Sequence, residues 1–212
     1  MYKNVIKRII DLALSFLGVI ILLPVFIIVS VLIYIDDPGP VFFKQKRIGK
    51  NKKIFWLHKF RSMKMNTPDI PTHLLDNPEQ YITGVGRVLR LLSIDELPQI
   101  YDILLGRMSI IGPRPALWNQ NDLIAERDKY GANDIKPGLT GWAQINGRDE
   151  LPIDIKAKFD GEYTEKLNTG GFTAFTMDLK CFFGTITKVL KHEGVVEGGA
   201  TNDVKEKEVV HK

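Results

Sequence analysis

From Leu12 to Ile35 the chain carries no charged residue, and that run constrains the fold more than any other feature. At the helical rise it is about 36 Å long, enough to cross a hydrocarbon core. It is too long for the apolar region of a cleaved signal peptide, and no small-residue cleavage site follows it. It therefore reads as a membrane segment. Pro24 sits halfway along, where proline removes a hydrogen bond and bends a helix. Lys3, Lys7 and Arg8 precede the run, and Lys44, Lys46, Arg47, Lys50, Lys52 and Lys53 follow it. Positive charge marks the cytoplasmic side, so a spanning helix puts one cluster on the wrong face. A helix that enters, breaks at Pro24 and returns satisfies both clusters; a kinked spanning helix oriented by the larger cluster is the alternative.

Asp36-Asp37-Pro38-Gly39-Pro40 is a turn that ends this segment. The rest of the 212 residues is long enough for one compact domain with a real core. A net charge of +4 without a recognition motif gives no argument for nucleic acid. The single cysteine, Cys181, excludes an intramolecular disulfide framework and any multi-cysteine metal site. Lying in an apolar stretch, it reads as buried filler.

Residues 90–115 hold the candidate chemistry. Ser93-Ile94-Asp95-Glu96 admits two readings. As a capping box, Ser93 and Glu96 satisfy orphan N–H groups at a helix start. If Pro98 opens the helix instead, both acids lie in the preceding turn, available for chemistry. Apolar Ile100, Ile103, Leu104 and Leu105 then continue to Gly106, a residue type suited to a left-handed C-cap. In Gly112-Pro113-Arg114-Pro115, two prolines lock the backbone around one arginine and hold its guanidinium in a fixed direction.

Elsewhere the signals are weaker. Val41–Phe43 and Ile54–Phe60 mix aromatic and basic residues, a headgroup-level composition. Lys59 and Arg61 there suit either a phosphate or anionic lipid. Residues 136–148 are punctuated by glycine and proline and carry Trp142, Gln144, Asn146 and Arg148: a ligand loop, or a loop whose Trp142 plugs the core. Asp160 and Tyr163 stand at i, i+3 on a helix. A helix at 175–190 shows Leu179, Phe182, Phe183, Ile186 and Leu190 on one face. It packs on the domain or lies on the membrane.

Membrane segment, acid pair and fixed arginine together suit phosphate chemistry at an interface. A carboxylate can attack phosphorus, and arginines with a hard divalent ion such as magnesium offset the charge repulsion.

Six blocks occur in order: Lys7-Arg8 with Asp11; Lys59-Phe60-Arg61-Ser62-Met63; Ser93-Ile94-Asp95-Glu96-Leu97-Pro98-Gln99; Met108-Ser109-Ile110-Ile111-Gly112-Pro113-Arg114-Pro115; Pro137-Gly138-Leu139-Thr140-Gly141; and Asn146-Gly147-Arg148. From about residue 3 to 195 the chain resembles the bacterial sugar transferases, in particular the small monotopic phosphoglycosyl transferases. The resemblance implies transfer of a sugar 1-phosphate from a UDP-sugar to undecaprenyl phosphate, with release of UMP, at the cytoplasmic face of the bacterial inner membrane. That reaction initiates glycoprotein or surface-polysaccharide assembly. It implies Asp95 as the nucleophile and Mg2+ ligand, Glu96 as its acidic partner, and Lys59, Arg61, Arg90, Arg114 and Arg148 as phosphate contacts beside Pro113 and Pro115. Asp160 and Tyr163 resemble a weaker substrate motif. Lys7, Arg8 and Pro24 would belong to a re-entrant membrane helix. Leu23 departs from the pattern, which often places serine or threonine before the proline.

The expected architecture is thus mainly α with a little β. A re-entrant helix-break-helix anchor (1–36) precedes a compact cytoplasmic catalytic domain with interfacial amphipathic helices (37–195) and a polar tail (196–212). Membrane lipid is an expected partner, and the membrane-facing surface leaves room for a homodimer. The rival is a membrane-anchored scaffold or binding protein whose acid pair only caps a helix.

Overall fold

The computed structural model describes residues 1–68, 77–147 and 151–190; the tail at 196–212 and Arg148 lie outside them. The described chain is mainly helical. A π-helical turn at Tyr2–Ile6 leads into α1 (Lys7–Asp36), followed by the hairpin β1 (Phe42–Ile48) and β2 (Ile54–Phe60). Then come α2 (Gly84–Leu91), α3 (Gln99–Leu104), β3 (Ser109–Ile111), α4 (Asn121–Asp128), β4 (Gly138–Thr140), α5 (Trp142–Ile145), α6 (Ile153–Thr169) and α7 (Gly171–Leu190). The hairpin is antiparallel, with Phe42 opposite Phe60 and Ile48 opposite Ile54. β3 and β4 pair in parallel, Ser109 with Gly138 and Ile111 with Thr140.

α1 is long and apolar enough to cross a membrane. The expected break at Pro24 is not there: one continuous helix runs through it. Proline costs a backbone hydrogen bond, but among apolar residues every other peptide group is best satisfied within the helix, so the helix persists. Lys7, Asp11 and Ser15 are buried near one end and Val29 and Ile33 near the other, while no residue from 16 to 28 is buried.

The two ends of α1 dock on the same domain. At the first, the Asp11 carboxylate accepts from the Ser109 hydroxyl at 2.8 Å and from Ile110 N at 3.0 Å. Lys7 Nζ reaches Asp178 Oδ2 at 2.8 Å. Arg8 donates to the carbonyls of Ile103 and Leu104 at 2.6 and 2.8 Å, satisfying the C-terminal end of α3. Lys7 and Arg8 are therefore spent inside the protein and do not serve as lipid-facing flank charges. At the second end, Asp36 accepts from Val85 N at 2.8 Å and caps α2. Asp37 pairs with Arg61 at 2.6 Å. Val29 and Ile33 pack with Phe60 and Leu89 in one apolar cluster.

α7 also combines two surfaces. Ala174, Met177 and Cys181 enter the main core with Ile111, Tyr163 and Leu167. Leu179, Phe182, Phe183 and Ile186, the face singled out in the sequence, are exposed. Burial pushes the Cys181 thiol up to about 12, consistent with inert filler.

Candidate active site

Four segments converge on the acid pair. β2 delivers Lys59, α2 delivers Arg90, a 3-10 turn at Ile94–Glu96 carries both acids, and the loop after β3 delivers Arg114. Ser93 makes no capping bond and sits at φ 55° in the left-handed region. Pro98 immediately precedes α3, which closes at Gly106 with φ +76°. Of the two sequence readings, the capping box is thus not formed, and the acids occupy the turn before the helix.

Asp95 and Glu96 are each only 8% exposed. Glu96 is fully engaged: Lys59 Nζ donates to its Oε1 at 2.9 Å, and Arg114 grips it with Nη2 to Oε1 at 2.6 Å and Nη1 to Oε2 at 3.2 Å. The two-pronged Arg114 contact is the geometry that suits a planar guanidinium. Asp95 Oδ2 lies 3.9 Å from the same Lys59 nitrogen, beyond hydrogen-bond distance. Burial raises the Asp95 carboxyl above the usual carboxylate range; Lys59 opposes this, the Glu96 charge adds to it, and Arg90 and Arg114 oppose it. The result is one carboxylate clamped by cations and a neighbour attracted to them without being bound.

The supporting bonds explain why the cations meet here. Arg90 Nε donates to Ser62 Oγ at 2.9 Å. That contact depends on close approach of α2 to the chain at Ser62, where a Cβ on Gly86 would lie 2.0 Å from the Ser62 carbonyl oxygen. Asp102, fully buried, accepts from His58 N and His58 Nδ1 at 2.9 Å each and from Arg107 at 3.3 Å. It ties the strand of Lys59 to the helix that follows the acids.

The bacterial sugar transferase family profile matches residues 2–192. The chain belongs to the bacterial sugar transferase family. It is 37% identical to the uncharacterized sugar transferase EpsL of Bacillus subtilis (strain 168) over 191 residues, covering 90% of each chain. It is 33% identical to the UDP-N-acetylgalactosamine-undecaprenyl-phosphate N-acetylgalactosaminephosphotransferase of Aeromonas hydrophila, over 87% of this chain and 44% of that protein. It is 35% identical to the UDP-glucose:undecaprenyl-phosphate glucose-1-phosphate transferase of Escherichia coli (strain K12), over 88% of this chain and 40% of that protein.

In this bacterial sugar transferase the sequence-derived residues divide into two groups. Lys59, Arg90, Arg114, Asp95 and Glu96 come together. Arg61, Asp160 and Tyr163 are buried elsewhere with internal partners: Arg61 with Asp37, Asp160 with Arg127 at 2.5 and 2.8 Å, and Tyr163 with Asp178 at 2.7 Å and the Ile111 carbonyl at 3.1 Å. Trp142 takes an intermediate course, packing beside the core while its Nε1 donates to Glu162 at 2.9 Å.

Sequence reasoning passed over Asp102, Arg127 and Asp178. The available signal was an acid within an apolar helical stretch, as in Ile100-Tyr101-Asp102-Ile103 and Phe175-Thr176-Met177-Asp178-Leu179. Such a residue needs a buried partner.

Among the described residues no three His, Cys, Asp or Glu side chains form a metal cluster. An oxygen-preferring ion at the acid pair would therefore draw on one or two carboxylates, with substrate phosphate and water completing its shell. That is the usual manner of magnesium, and the carboxylate of Asp95, not hydrogen-bonded to Lys59, fits it.

Proposed function

We propose that the chain is a phosphoglycosyl transferase that moves a sugar 1-phosphate from a UDP-sugar to undecaprenyl phosphate, the first step of glycoconjugate assembly. The observation that carries the reading is the asymmetry of the acid pair: Glu96 clamped by Lys59 and Arg114, Asp95 beside them and not hydrogen-bonded to Lys59. The Asp95 carboxylate attacks the sugar-bearing phosphorus of the donor. The P–O bond of the diphosphate breaks, and UMP leaves with the electron pair. A phosphate oxygen of the lipid acceptor then attacks the aspartyl phosphate, restoring the carboxylate and yielding a lipid diphosphate sugar. Such a covalent route splits one hard displacement into two.

Lys59, Arg90 and Arg114 supply positive charge where it accumulates in the transferring group. Glu96, paired with two of them, keeps those cations placed before substrate arrives. Asp95 is the residue that would hold Mg2+, whose chemistry there is to neutralise the diphosphate. Arg148 retains its proposed phosphate role, and Arg61, Asp160 and Tyr163 act through the fold.

The docking of both ends of α1 on one domain supports an anchor that stays on one side of the bilayer, its continuous helix bent rather than broken at Pro24, with the catalytic domain at the cytoplasmic face. A spanning helix carries one end about 30 Å away across the hydrocarbon. The exposed apolar face of α7 supports its lying in the interface. The named relatives act on different sugars, glucose and N-acetylgalactosamine, so the donor is assigned here only as a UDP-sugar.

The test is nucleotide release from detergent-purified protein with Mg2+, undecaprenyl phosphate and a panel of UDP-sugars. UMP from at least one donor, lost in Asp95→Asn, is expected. Release of UDP would mean direct glycosyl transfer and overturn the mechanism; no nucleotide from any donor would favour a scaffold.

A further inference from the structure

Every residue from 109 to 115 is hydrogen-bonded to another segment of the molecule. Ser109 and Ile110 bind the Asp11 carboxylate, and Tyr163 Oη donates to the Ile111 carbonyl. Gly112 N donates to the Thr140 carbonyl at 2.8 Å, and the Pro113 carbonyl accepts from Gly138 N at 2.9 Å. The Arg114 carbonyl accepts from Arg127 Nη1 at 2.9 Å, and the Pro115 carbonyl from Arg47 Nη1 at 3.0 Å.

The Arg127 contact stands out. Its side chain and that of Asp160 are 4% and 1% exposed. Nε and Nη2 both face Asp160 Oδ2, at 2.8 and 2.5 Å, which leaves Nη1 directed at the Arg114 carbonyl. Only a planar, several-donor cation serves both partners at once. Burying such a pair brings little net stability, because desolvation offsets the attraction; what it gives is direction. Proline on either side of Arg114 removes two backbone donors and narrows the backbone, so the three carbonyls are the handles by which the loop is held.

We propose that the buried Arg127–Asp160 pair is a positioning device for Arg114: by holding the Arg114 carbonyl it aims that guanidinium at Glu96 and the donor phosphates. Asp160 acts through Arg127, and neither touches substrate. The inference rests on the reading of the acid pair as a phosphoglycosyl transfer site.

The experiment compares wild type, Arg127→Lys, Arg114→Ala and the double variant, measuring UMP release with the donor that wild type turns over, kcat and KM separately, and the thermal midpoint. Lysine at 127 can keep the charge pair with Asp160 but cannot also reach the Arg114 carbonyl. Arg127→Lys is expected to lower kcat/KM by about tenfold to a hundredfold, the scale of a misplaced catalytic group, through whichever of kcat or KM Arg114→Ala alters. In the Arg114→Ala background it should cost less than about twofold more, because the group it positions is gone. Asp160→Asn, which leaves the Arg127 fork unanchored, serves in its place if Arg127→Lys does not fold. An equal loss in both backgrounds, or a loss that only follows the thermal midpoint, would overturn the positioning role and leave the site reading intact. Full activity of Arg114→Ala, or no UMP from wild type, would overturn the site reading and this inference with it.

Discussion

The acid turn at residues 93–98 and the track at residues 109–115 meet at one carboxylate, Glu96, and are held in opposite ways. The turn enters through a left-handed serine and leaves through a proline, and Asp95 Oδ2 stands 3.9 Å from Lys59 Nζ. The track is bonded at every residue, to α1, β4, α4, α6 and β1. The difference is what the proposed covalent transfer would ask of a site: cations fixed in advance, where electrostatic stabilisation needs no reorganisation, and a carboxylate with lone pairs not already spent.

Asp95→Asn breaks the comparison most severely. It should reduce UMP release by about a thousandfold or more, while the fold holds or gains stability. The gain has a definite pH dependence. Burial raises the Asp95 carboxyl in the folded state, so ionisation costs stability once the pH exceeds the unfolded value of about 3.9. The variant's advantage in thermal midpoint should be present at pH 7, fade as the pH falls toward that value and be absent below it.

Asp102→Ala attacks the link between β2 and α3. It leaves His58 N and Nδ1 without their buried acceptor and should cost about 1–3 kcal/mol in a denaturant titration. A loss under about 1 kcal/mol would show that the cluster does not hold Lys59 to the acid turn.

Gly138→Ala tests the tightness of the track. A Cβ there would lie 2.1 Å from Gly112 N and 2.5 Å from the Thr140 carbonyl oxygen, backbone atoms that cannot swing aside. About 1–3 kcal/mol of overpacking is expected, with activity falling at temperatures where the fold persists. Unchanged activity would mean the track tolerates displacement.

Ser93→Gly is the mildest change. Relief of the left-handed serine at φ 55° should stabilise by up to about 1 kcal/mol, read as a small rise in thermal midpoint. A fall would show that the serine hydroxyl holds the turn.

Much of the site was legible because its residues are local and typed by chemistry. Asp95 and Glu96 are adjacent, and the prolines around Arg114 announce a fixed cation. Whether Ser93 or Pro98 set the helix start was undecided by pattern, since both are good N-terminal residues; the left-handed backbone at Ser93 decides it. Pro24 misled toward a break, because the sequence shows the lost hydrogen bond and not the surroundings that keep the helix intact. Arg61, Asp160 and Tyr163 have the residue types of a binding site, and their burial with internal partners appears only once the chain is folded.

By itself, then, the sequence determined a membrane-seeking N-terminal helix, an acid pair in phosphate-handling company, and membership in the bacterial sugar transferases. These follow from runs and short blocks whose physics is confined to a few neighbouring residues. Only the tertiary structure decided which charges gather at the acid pair and which are spent elsewhere inside the fold. Lys7 and Asp178 lie 171 positions apart, and Asp11 and Ser109 lie 98 apart. No local pattern pairs such residues, because the burial that makes each contact necessary exists only after the helices have packed.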